Sequence, residues 1–237
     1  MAARLPAAPA RRGPGRLRAR GRQGAPPCAM LMDTISNAST RQGVGADDER
    51  CTMSLFLLEI EPAATTREGS QAVLDALRAA AGDTAPAELI ESQVAADHSR
   101  LFTILEADDA EGAGTVVAEL REVAGAVHGP DEVRLVGAEL DEIKALRRGA
   151  GYLVEWDIPA EITMDQYLAR KKANAPKYAE VPETSFLRTY VREDTAKCLC
   201  FYDAPDEAAV VRAREAVSTP IDRIWALGAV ELDTTGA

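Results

Sequence analysis

A stretch of this chain matches a later stretch of itself at a constant offset, and that constrains the fold more than any composition. "RLFTILEADDAE", from Arg100, lies over "KCLCFYDAPDEA", from Lys197, with Arg100 on Lys197, Glu106 on Asp203, Ala107 on Ala204 and Asp109 on Asp206. The same offset of 97 pairs "LIESQVAADHSR" (89–100) with "FLRTYVREDTAK" (186–197) without a gap, placing Val94 on Val191 and Asp97 on Asp194. Outside this block "LLEIEPA" (57–63) resembles "LVEWDIPA" (153–160), and "RLVGAELD" (134–141) resembles "WALGAVELD" (225–233), each with one inserted residue. Self-similarity at one period indicates one supersecondary unit used twice.

Each copy reads as a short alternating strand, a helix, a hairpin, a second helix and a last strand. In the second copy "GYLVEWDI" is the first strand, and Thr163 and Asp165 open the helix "TMDQYLARKKANAPKYA" as N-cap and first-turn acid. Pro176 ends or kinks that helix. "TSFLRTYVR", the turn "EDTA" and "KCLCFYD" make the hairpin, followed by "DEAAVVRAREAV" and "RIWALGA". This βαββαβ order is the ferredoxin-like plan. Its antiparallel sheet carries helices on one face, so the bare face needs a partner. The expected fold is α+β: tandem ferredoxin-like domains pairing by their sheets as a pseudo-dimer of the dimeric α/β-barrel type. The expected domains are 53–141 and 151–233, with 142–150 as linker and 1–52 as a tail.

Alternation along strands assigns faces. Tyr152, Val154 and Trp156 are expected under the helices, with Leu153, Glu155 and Asp157 on the opposite face. In the hairpin Leu187, Val191, Leu199 and Phe201 are expected on the helix side. Arg188, Tyr190, Cys198, Cys200 and Tyr202 would then face the way Glu155 faces, with Glu155 near Cys200. The matching set in the first copy is Glu59, Glu61, Glu91, Gln93 and Thr103, with Arg188 standing where the first copy has Glu91. Carboxylates, a guanidinium, a thiol and a phenol between two sheets can bind a small polar ligand or a cation, or pair with one another. Glu155, Arg188, Tyr190, Cys200 and Tyr202 are therefore the expected ligand-binding residues, and Cys200 with Glu155 the expected metal ligands.

Zinc or nickel normally adds His or further Cys to such a pair. His98 falls at a hairpin tip, and His128, in "AVHGP", reads as a cation near a helix C-terminus. No Ser/His/Asp constellation, glycine-rich phosphate loop or metalloprotease motif is visible.

"YLVEWDIPAEIT", "SFLRTYV", "CFYDAPDEAAV" and "PIDRI" resemble, in order and spacing, the small ferredoxin-like domains called domain of unknown function 4242. The resemblance covers about residues 151–233, with the first copy a diverged partner. It implies a small sandwich that pairs through its sheet, and nickel binding or a nickel response. The family commonly carries a histidine in the first helix; here Lys171 stands at about that place, and an ammonium repels a cation that an imidazole would bind. The positions that carry over are Glu155, Tyr190 and Cys200.

The formal charge of −11 conceals a split, since residues 1–50 hold nine Arg and four acidic residues. The remainder, with 18 basic and 34 acidic residues, is a poor match for nucleic acid. The Ala/Pro/Gly/Arg-rich start is expected to be disordered. It reads as an organellar leader, a nucleic-acid tail or the product of an upstream start, with Met53 directly before the first strand. No apolar run is long enough to span a membrane, and four cysteines, two of them in the tail, make no disulfide framework. The expectation is a cytoplasmic binding protein for a small molecule or metal ion, with homodimerisation open. A cofactor-free α/β-barrel enzyme using Glu155 or Tyr190 as acid or base, and a non-catalytic interaction module, are the alternatives.

Overall fold

A computed structural model of the chain describes residues 53–81, 85–145 and 149–228. The tail expected to be disordered, 1–52, lies outside the described residues. The element order is β1 (Ser54–Pro62), α1 (Arg67–Ala80), β2 (Ala87–Val94), β3 (Leu101–Ala107), α2 (Ala110–Glu119) and β4 (Ala124–Val136). A short α3 (Leu140–Lys144) leads to β5 (Tyr152–Asp157), α4 (Met164–Asn174), β6 (Ser185–Arg192), β7 (Lys197–Asp203), α5 (Glu207–Ala216) and β8 (Arg223–Ala226). The segment 142–150, read as linker, thus begins inside α3. Among the described residues no helix is long and apolar enough to cross a membrane.

Repeated local signals start the equivalent elements. Asp109 caps α2 by accepting from the Gly112 amide at 2.8 Å, and Asp206, 97 residues on, caps α5 by accepting from the Ala209 amide at 2.8 Å. Thr163 and Gln166 form a reciprocal capping box on α4. Pro176 lies in the 3₁₀ segment Ala175–Glu180 that follows α4. The hairpin turns repeat as well: His98 and Thr195, again 97 apart, both have φ near +60°.

The strands form one antiparallel sheet in the order β2-β3-β1-β4-β6-β7-β5-β8. Each half has the ferredoxin-like order, and the halves join where the C-terminal part of β4 pairs with β6, Val133 opposite Arg192 through Val136 opposite Thr189. The second seam closes at the far ends. Ala95 bridges Leu227, the Ala96 amide donates to the Ala226 carbonyl at 2.8 Å, and the Gly228 amide donates to the Val94 carbonyl at 2.8 Å. The sheet therefore closes on itself as an α/β barrel, which leaves few free edges. β4 is long enough to pair β1 from Ala124 to Val133 and β6 from Val133 to Val136, and it is bulged opposite Leu57–Glu59. Gly129 sits there at φ 101°, where a Cβ would lie 2.3 Å from the Leu57 carbonyl oxygen. His128 belongs to this strand, opposite Glu59, and not to a helix end as expected; the glycine and proline after it mark a bulge rather than a cap.

Three apolar clusters follow. Phe56, Leu58, Val73, Leu77, Leu105 and Val116 fill the space between the first half's sheet and its helices. Val154, Trp156, Tyr167, Val191 and Val210 do the same in the second half. Leu57, Phe102, Ile104, Leu153, Leu199 and Phe201 meet inside the barrel. Each such fully buried side chain contributes about 1.5–3 kcal/mol.

Candidate functional site

Residues directly opposite in an antiparallel pair share a face. Val154 is opposite Cys200, Trp156 opposite Cys198, and Tyr152 opposite Tyr202, whereas Glu155 is opposite Leu199. Cys198, Cys200 and Tyr202 consequently lie under the helices, and Leu199 and Phe201 point into the barrel, the reverse of the sequence expectation. Leu187 also points inward, because β6 is bulged between Phe186 and Arg188. In the first half Thr103, opposite Leu58, is likewise on the helix side. Glu155 and Cys200, the expected metal pair, are on opposite faces of the sheet. Of the five expected ligand-binding residues, Glu155, Arg188 and Tyr190 face the barrel interior, and Cys200 and Tyr202 face the helices.

The interior groups bind one another across the seam. Arg188 donates to Glu91 through both Nε, at 2.8 Å, and Nη2, and Tyr190 and Gln93 donate to the same carboxylate. Glu91 and Arg188 are repeat-equivalent positions, so the duplicated fold brings opposite charges face to face where identical copies would have set like against like. Arg188 also lies over the Phe201 ring, 4.5 Å from its centroid. Burial first, and then the Glu91 charge, push the Tyr190 phenol well above its usual range. At the other end of the barrel Lys197 reaches Glu59 at 2.7 Å and Glu155 at 3.0 Å, joining the halves again. Glu155, fully buried, further accepts from Trp225 Nε1 at 2.6 Å and lies 3.2 Å from Arg223 Nε. Glu61 remains partly exposed and pairs with Arg100. A recess of about 260 Å³ at one barrel mouth touches Leu187 and Arg188, but the guanidinium there is already held by Glu91.

The helix side of the second half carries reactive groups around a cavity of about 30 Å³. That is room for about two water-sized molecules. Cys198 and Cys200 form part of its wall with Tyr167, Lys171, Tyr178 and Arg214; exposed Arg170 and half-buried Asn174 and Thr219 form its solvent side. Cys200 Sγ lies 3.3 Å from Arg214 Nη1, 3.2 Å from Thr189 Oγ1 and 3.9 Å from Cys198 Sγ. Lys171 Nζ donates to Thr189 Oγ1 at 2.8 Å and sits 4.2 Å from the Phe186 ring centroid. Arg214, 2% exposed, also reaches the Tyr202 hydroxyl and the Pro220 carbonyl, while its Nε has no hydrogen-bond partner.

These contacts set the protonation states. The hydrogen bond from Cys198 holds the Cys200 thiol well below its ordinary value, against the cost of burial and with help from Lys171, Arg214 and Thr189. The same bond, reinforced by burial, pushes Cys198 up. The two thiols titrate as a pair that gives up one proton early and the other late. Burial lowers Lys171. For Arg214 the burial penalty is outweighed by Cys200 and Tyr202, which raise it. Burial also raises Tyr167, Tyr178 and Tyr202.

The first half shows what the second has changed. Ser92 and Thr103 occupy the positions equivalent to Thr189 and Cys200 and make a buried hydroxyl pair at 2.8 Å. Val117 stands where the second half has Arg214, packed against apolar neighbours. Arg214 and Lys171 were the members of the site that sequence reasoning missed as ligand-binding residues. The signal was present for Arg214, a guanidinium on the apolar face of α5 beside Val210 and Ala213.

Among the described residues no group of three or more His, Cys, Asp or Glu could hold a metal ion. The charged neighbours of the two thiols are the cations Lys171 and Arg214, and Thr189 and Tyr167 add only neutral hydroxyls, so this donor set does not fit a divalent cation.

Residues 152–227, the half that contains the cavity, match the family described as "Nickel responsive protein SCO4226-like". No curated protein matches the chain. Similar solved structures include a protein provisionally described as a chlorite dismutase, with 11% identity over 75% of this chain and 96% of that one and a TM-score of 0.48. Others are a provisionally described monooxygenase from Lactobacillus acidophilus NCFM (12%, 77% and 100%, 0.42) and an anthrone oxidase-like protein (12%, 74% and 90%, 0.45). Likenesses this distant carry nothing about chemistry.

Proposed function

We propose that the chain is a small-ligand-binding protein whose ligand enters the helix-side cavity of the second half, with the first half acting as the partner that closes the barrel. The observation that carries this reading is Arg214, a guanidinium 2% exposed, which with Lys171 and a thiol pair lines a cavity rather than packing against a carboxylate. The asymmetry of the repeat supports it too, because the first half has a self-satisfied Ser92–Thr103 hydroxyl pair and apolar Val117 where the second has Thr189, Cys200 and Arg214. With Lys171 and Arg214 on its wall, the pocket favours a small polar molecule that is neutral or anionic.

The description of the matched family suggests nickel as the ligand, and Lys171 and Arg214 oppose it. Azide, small and anionic, and nickel chloride are the two probes that separate these cases, read by amide chemical shifts in the reduced protein. Azide is expected to move Thr189, Cys200 and Arg214 saturably, and nickel to leave them in place. Saturable binding of nickel there, with azide silent, would contradict the reading.

The enzyme alternative places acid and base on Glu155 and Tyr190. Those groups are engaged by Lys197, Arg223 and Trp225, and by Glu91, within a packed interior. Their arrangement suits joining the two halves better than turning over a substrate.

A further inference from the structure

We propose that the helix-side cavity admits a small hydroperoxide, which oxidises Cys200 to a sulfenic acid that Cys198 then resolves as a disulfide. The proposal rests on the cavity being the ligand site and names the class of molecule that reacts there.

The thiolate, not the thiol, is the sulfur nucleophile. Cys200 Sγ has a guanidinium at 3.3 Å, a hydroxyl at 3.2 Å and the second sulfur at 3.9 Å, all within one buried cluster. Attack on the nearer peroxide oxygen forms the S–O bond and breaks the O–O bond. The departing alkoxide or hydroxide takes its charge into a pocket lined by Arg214 and Lys171. Preorganised donors aimed at developing negative charge are what lower such a barrier. Arg214 already stands at the reacting sulfur, its Nη1 3.3 Å from Cys200 Sγ, so its charge is in place as the negative charge develops. Lys171, whose ammonium is made more acidic by burial, supplies the leaving oxygen with its proton. Cavity size restricts the oxidant to hydrogen peroxide or a comparably small hydroperoxide.

In the second step Cys198, no longer beside a Cys200 thiolate, gives its proton to the Lys171 amine left neutral by the first step and attacks the sulfenic sulfur. The S–S bond forms, the S–O bond breaks, and hydroxide leaves as water with that proton, passed on by Lys171. Two thiols lose two electrons, the peroxide gains them, and the products are one disulfide, one alcohol or water, and one water. Two residues apart on an extended strand, the Cα atoms are separated by roughly 6.7 Å, the upper end of what a disulfide spans. The bridge is therefore strained and readily reopened by a low-molecular-weight thiol, as suits a reversible sensor more than a structural link.

The test uses the full chain with Cys28→Ser and Cys51→Ser, so that the only thiols are Cys198 and Cys200. Exposed to hydrogen peroxide, it should lose two thiols and two hydrogens by intact mass, faster than free cysteine at the same pH. Cys198→Ser should stop at a sulfenic acid on Cys200, captured as a mass adduct by a dione trap, and Cys200→Ser should lose the fast reaction. Arg214→Lys, chosen to retain a charge and the fold, should slow oxidation at least about tenfold. Oxidation of Cys200 no faster than free cysteine, or a fast reaction that leaves Cys198 reduced, would overturn the proposal. If azide binds and peroxide does not react, the peroxide chemistry falls and the ligand site stands; if neither acts at the cavity, both fall.

Discussion

Glu91→Ala is expected to destabilise the protein by about 3–5 kcal/mol, among the largest losses any single substitution here should cause. Glu91 is 4% exposed and Arg188 1% exposed, so removing the carboxylate leaves a guanidinium buried without its counter-charge. It also strips an acceptor from the Tyr190 hydroxyl and from Gln93 Nε2. Because the pair joins β2 of one half to β6 of the other, the loss should weaken the joined barrel as a whole. Adding Arg188→Met should restore most of it, since replacing both members of a buried ion pair with apolar groups is often close to neutral. Denaturant unfolding of the two variants checks this. Equal loss in the single and double variants would show that the pairing is not what the interior depends on.

Arg214→Met should shift the ionisation of Cys200 upward and cost about 1–3 kcal/mol, as the Tyr202 hydroxyl and Pro220 carbonyl lose their donor. The pH dependence has a definite sign. Cys200 is held below its unfolded value, so its contribution to stability is complete above that value and fades as pH falls through the lowered folded one. Cys198 is raised, so its contribution is complete below the unfolded value and is lost as pH rises through the folded one. The deficit of Arg214→Met should therefore grow as pH rises from the acid side toward the ordinary thiol range near about 8.5. With the tail cysteines replaced by serine, thiolate absorbance followed against pH should show the first thiol ionising at lower pH in the parent than in the variant. Unfolding at two pH values completes the check, and a deficit independent of pH would remove Arg214 from the thiol's surroundings.

The barrel was legible because the repeat was. An ungapped offset of 97 residues carries the caps Asp109 and Asp206, the turn residues His98 and Thr195, and the facing pair Glu91 and Arg188. It also carries the bulges, which fall between Leu89 and Glu91 in β2 and between Phe186 and Arg188 in β6. Faces were harder. On β5 the sequence was right, with Val154 and Trp156 outside and Leu153 and Glu155 inside. On β7 it was inverted, because both faces of a barrel strand are buried and alternation within "CLCFY" offers two apolar sets of similar size. The larger side chains, Leu199 and Phe201, fill the interior, and the small cysteines lie beneath α4 and α5 where Lys171 and Arg214 need room. No local pattern in the strand announces that choice; the cross-strand register with Val154 and Trp156 decides it.

Bromide, heavy enough to be located by anomalous diffraction and small enough for the cavity, gives the most direct measurement. In crystals of the reduced protein soaked in bromide, the account predicts a peak in the helix-side cavity beside Arg214 and Lys171, on the side of the sheet that carries Cys198 and Cys200. A peak beside Arg188 inside the barrel, with none in the helix-side cavity, would contradict it.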